Sequence, residues 1–322
     1  MTSEFDLIER HLARLTLPGA DVRAGIGDDC AIVAVPAGRE LAVSIDTLNE
    51  GVHFPAGTAA ADVGWKALAC GLSDLAAAGA EPAWCTLALT MTAGDDDWLA
   101  GFAEGFGALA REHGVALVGG DTTRGAALGV TVQVAGTLPA GDALMRTGAR
   151  PGDLVCVSGT PGEAAAGLAG LLAGARPDPR LRARLDRPVP RVALGERLRG
   201  RASACIDVSD GLVADAGHIA AASGVAIVLD EPALPVSDAL AAAADAARVT
   251  DWILNGGDDY ELCFTIAPEA LEDAAWRGTL DVPVTPVGRV APGAGVRVRD
   301  ASGRERPGGV GGYRHFGGDD PP

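Results

Sequence analysis

An apolar strand pattern runs into a dense group of polar side chains in Val43-Ser44-Ile45-Asp46-Thr47-Leu48-Asn49-Glu50-Gly51-Val52-His53-Phe54. Apolar and polar residues alternate from Glu40 to Ile45, which predicts a half-buried strand. Carboxylate, hydroxyl, amide and imidazole groups then follow within about ten positions. A solvated turn after a strand is the alternative for this stretch alone. Acidic residues at other element ends decide between the two interpretations.

Length and composition limit the classes of protein that fit the chain. Its 322 residues are too many for one average hydrophobic core, so we expect two domains. The hydrophobic content of 48% is typical of a folded, soluble protein. A formal net charge of -17 argues against nucleic acid or an anionic membrane as a partner. A polyanionic substrate would therefore need metal ions.

The cysteines and the N-terminus favour a reducing cytoplasm as the location. The six cysteines are widely spaced and lie mostly in apolar surroundings, so we expect buried free thiols. The N-terminus is acidic and polar, and no apolar run reaches the ~18 residues of a membrane span.

Basic residues are few and unevenly placed. Lys66 is the only lysine, and the arginines are densest between Arg176 and Arg201. We expect these arginines to form a solvated helical face. The proline- and arginine-rich segment from Ala175 to Arg191 is predicted to be a surface excursion.

The N-terminal half alternates predicted strands and helices. Gly25-Ile26-Gly27-Asp28-Asp29-Cys30 contains two glycines of a dinucleotide fingerprint, but a strand follows it, so we predict a turn that presents Asp28 and Asp29. Asp74 lies in the last turns of a predicted helix, where a carboxylate either is exposed or faces a cation. The predicted elements are a first helix capped by Ser3, a helix over 59–79, a strand over 83–92, a helix over 95–113, and strands over 115–118 and 129–138.

The motif Gly119-Gly120-Asp121-Thr122-Thr123-Arg124-Gly125 is predicted to follow the short strand over 115–118. Backbone freedom, a carboxylate, two hydroxyls and an arginine are the groups that hold a phosphate and its metal. A glycine-rich hairpin turn is the alternative, but it does not require these residues in succession. The segment 141–152, which carries Arg146, is predicted to cross between the domains.

The C-terminal half repeats the alternation and adds two acidic motifs. Asp207-Val208-Ser209-Asp210-Gly211 closes a predicted strand and opens a helix that runs to Ser223. N-capping accounts for one of these polar residues but not for two aspartates and a serine together. Asn255-Gly256-Gly257-Asp258-Asp259-Tyr260-Glu261 precedes another strand. The remaining predicted elements are strands over 153–158, 225–229, 284–290 and 296–298, and helices over 161–174 and 237–247.

Six aspartates adjoin the ends of these elements: Asp29, Asp46, Asp74, Asp121, Asp207 and Asp210. Gathered without basic partners they would repel each other, and divalent cations would relieve the repulsion. Oxygen ligands without Cys or His select Mg²⁺ or Mn²⁺ over zinc. Metals held in this way usually bind phosphates, which indicates a nucleotide. A Walker A loop is excluded because Lys66 is not followed by Ser or Thr, and the protein-kinase signature is missing.

At these residues the sequence resembles the thiamine-monophosphate kinase family, within the ATP-dependent superfamily that includes aminoimidazole ribonucleotide synthetase and selenophosphate synthetase. The resemblance covers nearly the whole chain. It rests on the motifs quoted above together with Ser44-Ile45-Asp46-Thr47, Gly51-Val52-His53-Phe54 and Leu72-Ser73-Asp74-Leu75-Ala76.

The resemblance implies an α/β (α+β) chain with the two-domain aminoimidazole ribonucleotide synthetase-like fold, whose N-terminal sheets pair across a homodimer. Residues 1–140 would form an ATP- and Mg²⁺-binding and dimerisation domain, and residues 141–322 would complete the nucleotide and substrate site. The implied reaction transfers the γ-phosphoryl group of ATP to thiamine phosphate with the help of several Mg²⁺ ions. Nucleic acid and membrane are not expected as partners.

The resemblance also assigns roles to residues by motif. The metal ligands would be Asp29, Ser44, Asp46, Asp74, Asp121, Asp207 and Asp210. The ATP contacts would be Gly120, Asp121, Arg146 and Ser209. The thiamine phosphate contacts would be His53, Asp258 and Tyr313. No general base is expected, because a phosphate monoester with a second pKa near ~6 is already anionic at neutral pH.

The chain departs from the family pattern at three positions. Ile45 stands where the family often has Thr, which removes any side-chain metal contact there. Asp258 replaces the usual Glu, and Gly312 precedes Tyr313 where a bulkier pattern is common. Two rival functions stay open, another enzyme of the superfamily with a different acceptor and a catalytically silent nucleotide sensor. Retention of the aspartate positions argues against the sensor.

Overall fold

A computed structural model describes residues 4–15, 21–309 and 312. The chain divides into two compact units. The first comprises the described residues up to Leu75 together with Ala80–Ala143, and the second comprises Ala76–Gly79 together with the described residues from Leu144 onward. No helix within the described ranges is long and apolar enough to cross a membrane.

The first unit has a sheet with helices packed on one of its faces. Its elements are α1 (Glu4–Leu7), a π-helical turn (Ile8–Leu12), a 3₁₀ turn (Ala13–Leu15), β1 (Val22–Ala24), β2 (Ile32–Val33), β3 (Arg39–Asn49), α2 (Ala60–Ala77), β4 (Glu81–Met91), α3 (Asp96–Glu112), β5 (Ala116–Arg124) and β6 (Gly129–Pro139). Among the described residues the main sheet has the strand order β3-β6-β4-β5, and β1 pairs with β2 separately. Only β4 and β5 pair in parallel in the main sheet.

Strand pairing explains which side chains of β3 face the helices. Ser44 lies opposite Val134 and Asp46 lies opposite Val132 in the antiparallel pair of β3 and β6. Both valines are fully buried, and Val134 also contacts Gly71 of α2. Directly opposed residues share a face of a sheet, so Ser44 and Asp46 face the helical layer.

The second unit is a larger, mostly antiparallel sheet with helices on both faces. Its elements are β7 (Leu154–Ser158), α4 (Glu163–Leu172), α5 (Pro179–Asp186), α6 (Val192–Leu198), β8 (Ala202–Val208), α7 (Leu212–Ser223), β9 (Ala226–Asp230), a 3₁₀ turn (Glu231–Ala233), α8 (Asp238–Ala243), α9 (Ala246–Asn255), β10 (Glu261–Ile266), α10 (Pro268–Leu271), α11 (Ala274–Arg277), β11 (Val284–Ala291), β12 (Gly295–Arg299) and β13 (Glu305–Pro307). Their order in the sheet is β13-β12-β9-β11-β7-β10-β8 across the described strands.

Residue alternation along β7 separates two hydrophobic cores in this unit. Val155 and Val157 pack in one core with residues of α7 and α9, whereas Cys156 packs in the other with residues of α6 and α11. A strand buried on both faces reads as a continuous apolar run, which is the sequence pattern of β7. The two units together confirm the predicted α/β class.

Several predicted elements differ from the observed ones. β3 continues past Ile45 to Asn49, because its pairing with β6 continues to Gly129. β5 continues to Arg124, so the predicted end of this strand at Val118 is wrong, and the alternative of a hairpin turn over Gly119–Gly125 does not hold for most of that motif. The segment 237–247 is interrupted and followed by α9, which the sequence analysis missed. Cys30 is exposed, whereas the other five cysteines are buried as expected.

Candidate functional site

Ser44, Asp46 and Asp74 form an acidic group between β3 and α2 in the first unit. The Ser44 hydroxyl donates a hydrogen bond to Asp74 Oδ2. Asp46 Oδ2 is buried and has no hydrogen-bond partner within the described residues. Burial, together with the nearby charge of Asp74, raises the pKa of Asp46 to about 6. A half-buried carboxylate in this state lacks the positive partner that would stabilise its ionised form.

The donor set of this group fits a hard divalent cation. It offers carboxylate and hydroxyl oxygens, which Mg²⁺ prefers over nitrogen and sulfur ligands. Among the described residues no group of three or more His, Cys, Asp or Glu side chains lies close enough to hold a metal ion. Mg²⁺ is commonly bound by one or two carboxylates, with waters and substrate phosphates as its other ligands. The orphaned Asp46 oxygen is therefore the observation that favours a cation here.

Asp29, Gly120 and Asp121 line one cleft of about 590 Å³ in the first unit. The turn after β1 supplies Asp29, and β5 supplies Gly120 and Asp121. Both aspartates are exposed. A Cβ atom on Gly120 would lie 2.0 Å from the carbonyl oxygen of Leu87 on β4, so a side chain at this position is excluded. Asp28 also lines the cleft, which thus combines the bare backbone of Gly120 with three carboxylates.

His53 lies in the turn that follows β3. The backbone N–H of Asn49 donates to Nδ1 of the His53 ring at 3.0 Å. Nδ1 is therefore the unprotonated nitrogen, and the neutral ring carries its proton on Nε2. In this tautomer the ring offers its Nε2–H as a hydrogen-bond donor, and the role of His53 as a substrate contact stays a prediction.

In the second unit, the loop between β8 and α7 is organised by a residue that the sequence analysis missed. Asp215 Oδ2 accepts hydrogen bonds from the backbone N–H groups of Ser209, Asp210 and Gly211, each at 3.1 Å. Burial and the charge of Asp210 raise the pKa of Asp215 to about 7, although the three N–H groups lower it.

Neither Ser209 nor Asp210 caps α7 in the described structure, because the N-cap residue is Gly211 and no side chain bonds there as a cap. The signal for Asp215 was available in the sequence, since an acid in the first turn of a helix often binds its free N–H groups. Asp207, the other predicted ligand of this motif, is buried near the end of β8.

Asp258 lies beside the same loop in an unusual backbone conformation. Its N–H donates to the carbonyl oxygen of Ser209 at 2.9 Å, and the Tyr260 hydroxyl donates to Asp258 Oδ1 at 3.2 Å. Asp258 and Tyr260 have φ angles of 66° and 52°, in the left-handed region that non-glycine residues seldom adopt. Such strained residues cluster at ligand sites and persist only where the surrounding structure holds them.

Asp259 holds the strained segment in place. It is fully buried and accepts hydrogen bonds from the N–H of Gly162 at 2.6 Å and of Ala164 at 3.3 Å. Gly162 and Ala164 lie at the start of α4, where N–H groups lack partners within the helix. Burial raises the pKa of Asp259 well above its usual range. From the sequence, Asp259 belongs to the acidic motif around Asp258, but no role was predicted for it.

The predicted solvated arginine face is wrong for two of its members. Arg184 and Arg191 both donate to Glu261, which is fully buried on β10. The predicted surface excursion contains the helix α5, which carries Arg184 and is anchored by the buried Leu181 and Leu185. The sequence could not show these ion pairs because Glu261 lies 77 residues from Arg184 and 70 residues from Arg191.

The two remaining predicted ligand contacts are Arg146 and Tyr313. Arg146 is exposed in the segment before β7, and its backbone carbonyl accepts a hydrogen bond from Ser223 at 3.2 Å. Tyr313 lies outside the described residues. The structure thus brings together Ser44, Asp46 and Asp74, lines one cleft with Asp29, Gly120 and Asp121, and places Asp258 beside the Ser209 loop.

Comparison with known proteins identifies the class of this fold and site. Residues 27–138 match the family model described as AIR synthase related protein, N-terminal domain. Residues 150–301 match the one described as AIR synthase related protein, C-terminal domain. The chain is thus a two-domain protein of the AIR synthase related class, which confirms the predicted fold.

Relatives and solved structures narrow the class to a family. A thiamine-monophosphate kinase of Salmonella typhimurium is 48% identical over 297 residues, which are 89% of this chain and 90% of the relative. The crystal structure of thiamine-monophosphate kinase from Stenotrophomonas maltophilia is 50% identical, has a TM-score of 0.85 and covers 92% of this chain and 96% of that one. A structure of AaThiL complexed with AMPPCP and TMP is 34% identical, has a TM-score of 0.78 and covers 97% of each chain. The chain belongs to the thiamine-monophosphate kinase family.

Proposed function

We propose that this protein transfers the γ-phosphoryl group of ATP to thiamine phosphate, giving thiamine diphosphate and ADP. The observation that carries the proposal is the buried Asp46 oxygen beside Asp74, which has no hydrogen-bond partner in the part of the chain that the structure describes, in a chain of this family. A family member of the same fold, AaThiL, has been solved with AMPPCP and TMP, which supports ATP and thiamine phosphate as the two substrates.

The residues divide by role in this proposal. Ser44, Asp46 and Asp74 would hold Mg²⁺, with Asp29, Asp121, Asp207 and Asp210 as further ligands. Gly120, Asp121, Arg146 and Ser209 would contact ATP, while His53, Asp258 and Tyr313 would contact thiamine phosphate. Mg²⁺, when bound, would neutralise phosphate charge in the transition state.

In this reaction the side chains position the two substrates and do not transfer a proton. The acceptor oxygen of thiamine phosphate is anionic at neutral pH because the second pKa of a phosphate monoester is about 6. His53 accepts an N–H at Nδ1 and so donates from Nε2, which suits contact with a phosphate oxygen rather than removal of a proton. Gly120 lets the phosphate chain approach the backbone closely.

We also propose that the molecule acts as a homodimer through its N-terminal sheet, with residues 1–140 forming the ATP-binding and dimerisation domain and residues 141–322 completing the site. Leu41, Val43 and Ile45 alternate along β3 and are 47%, 56% and 64% exposed. Exposed apolar side chains aligned on one face of a strand favour an interface. Sedimentation of the wild type and of Ile45→Glu tests this, and a monomeric wild type would refute it. A cytoplasmic location is part of the same proposal.

The test of function is incubation of purified protein with ATP, Mg²⁺ and thiamine phosphate, followed by chromatographic detection of thiamine diphosphate. We expect stoichiometric thiamine diphosphate and ADP. Binding of both substrates without product would favour a silent nucleotide sensor. Product from an aminoimidazole precursor instead would favour another enzyme of the superfamily.

A further inference from the structure

The only lysine of the chain is buried in the first unit, and the proposed reaction gives it no role. Lys66 lies on α2 and is 2% exposed. An ammonium group loses strong hydration when it is buried, so an interior lysine is costly unless its donors are used. Lys66 Nζ donates a hydrogen bond to the backbone carbonyl of His53 at 3.1 Å. This contact connects the buried charge to a predicted substrate residue.

Hydrogen bonds hold both the N–H and the carbonyl group of His53 within its turn. The His53 N–H donates to the carbonyl oxygen of Asn49 at 3.0 Å, and its carbonyl accepts from Lys66. The next residue, Phe54, is buried and accepts the N–H of Gly51 at 2.8 Å. With both peptide groups held, the direction of the His53 ring is set by the turn and by the Asn49 contact at Nδ1.

The same helix also positions the acidic group. Asp74 lies two turns after Lys66 on α2 and accepts the hydroxyl of Ser44. A single rigid element therefore aligns a carboxylate at β3 and the turn that follows β3. Sites built on helices are held more accurately than sites on free loops.

We propose that Lys66 is a positioning residue, which fixes the backbone of His53 so that its Nε2 donor is directed at the phosphate group of the acceptor. The inference rests on the proposed function, in which His53 contacts thiamine phosphate. Lys66 acts through His53 and does not touch the substrate. The expected consequence is weaker use of the acceptor without a change in the use of ATP.

The test is a double-mutant cycle of Lys66→Met and His53→Ala, with each substrate varied in steady-state kinetics. Lys66→Met should raise the KM for thiamine phosphate about tenfold, the scale of a lost charged hydrogen bond, and leave the KM for ATP unchanged. In the His53→Ala background it should add little, because the residue it positions is gone. An unchanged acceptor KM, or effects that multiply in the double variant, would overturn the proposal.

Arg39→Met is the matched control. Arg39 is a cation in the same unit that also donates to a backbone carbonyl, that of Thr137 at 2.9 Å. It lies at the start of β3, away from the His53 turn at its end. The acceptor KM should stay at its wild-type value in this variant, and a rise equal to that of Lys66→Met would show a general effect of lost charge and overturn the proposal.

A measurement on the wild type covers the case in which Lys66→Met fails to fold. Protein labelled with ¹³C at lysine, and carrying no added lysine, gives one side-chain resonance to follow. That resonance should shift when thiamine phosphate alone is added, and no shift at saturating acceptor would overturn the proposal. Wild-type protein that forms no thiamine diphosphate would instead refute the proposed function, whereas product formation with an unchanged acceptor KM in Lys66→Met would refute only the inference.

Discussion

Both units contain buried acidic groups with raised pKa values, but the two sets differ in what they contact. In the second unit, Asp215 accepts three backbone N–H groups and Asp259 accepts two. In the first unit, Asp46 has one buried oxygen with no hydrogen-bond partner among the described residues, and the charge of Asp74 lies nearby. Their pKa values are raised to about 6 for Asp46 and about 7 for Asp215, so the size of the shift does not separate them.

Hydrogen-bond partners separate the two sets. A carboxylate whose oxygens are filled by backbone N–H groups stabilises a loop, and its removal leaves those donors unsatisfied. A buried carboxylate without a partner destabilises the free protein and is retained where a ligand will supply the partner. We therefore propose a structural role for Asp215 and Asp259 and a binding role for Asp46.

The largest expected effect is on turnover in Asp46→Asn. The substitution removes a charge that should position metal against phosphate, so we expect turnover to fall at least ~10²-fold. The free energy of unfolding without ligands should rise by about 1 kcal/mol, because an unpaired charge beside Asp74 is removed. Product formation and urea denaturation measure the two effects. Near-normal turnover, or an unfolded variant, would show that the binding role is wrong.

The opposite pattern is expected for Asp259→Ala. The N–H groups of Gly162 and Ala164 lose their buried acceptor, so the free energy of unfolding should fall by about 2–4 kcal/mol. Urea denaturation measures this change, and a matched Asp300→Ala variant at an exposed turn should lose much less. If Asp259→Ala keeps wild-type stability, hydrogen bonds from backbone N–H groups do not identify the carboxylates that stabilise this protein.

Asp258 has features of both the structural and the binding set, because it contacts a loop and is predicted to contact substrate. If it binds thiamine phosphate, Asp258→Ala should raise the KM for thiamine phosphate about tenfold with ATP binding unchanged. Asp258→Glu restores the length usual in the family and should be tolerated. A fall in melting temperature with an unchanged acceptor KM would instead assign Asp258 to the structural set.

The smallest expected effect is a pH dependence from His113, at the C-terminal end of α3. Burial lowers the pKa of His113, although the charge of Glu112 raises it, and its Nε2 is buried without a partner in the described structure. The folded state thus disfavours the protonated ring, and stability present above the unfolded pKa of about 6.5 is lost as pH falls below it. His113→Gln should show a weaker loss in thermal melts between about pH 7 and about pH 5. An identical loss would show that His113 does not contribute.

Sequence patterns predicted those parts of the fold that depend on local periodicity. The observed bounds of α2, β4, α3 and α7 agree with the predicted ones within two residues, because each has a regular apolar face and a clear end signal. The ends of β3 and β5 were missed, since strand length is set by the neighbouring strand rather than by the strand's own residues.

The candidate site shows the same division between local and distant information. Motifs with chemistry in adjacent positions, such as Gly119–Gly125 and Ser44–Thr47, can be recognised from the sequence alone, and the roles predicted for them stay predictions. Asp259 and Glu261 were missed as anchors because their partners, Gly162 and Arg184, lie far away in the sequence. Only the structure shows which carboxylates have hydrogen-bond partners and which lack one among the described residues.

The most direct test of the account is the thermal stabilisation of wild-type protein and Asp46→Asn by Mg²⁺ with a non-hydrolysable ATP analogue. Ligand that binds only the folded state raises the melting temperature in proportion to its affinity. We expect a clear rise in melting temperature for the wild type, little rise for Asp46→Asn, and an undiminished rise for the control Asp300→Ala. An equal rise in wild type and Asp46→Asn would show that the unpartnered carboxylate does not receive the cation and its nucleotide.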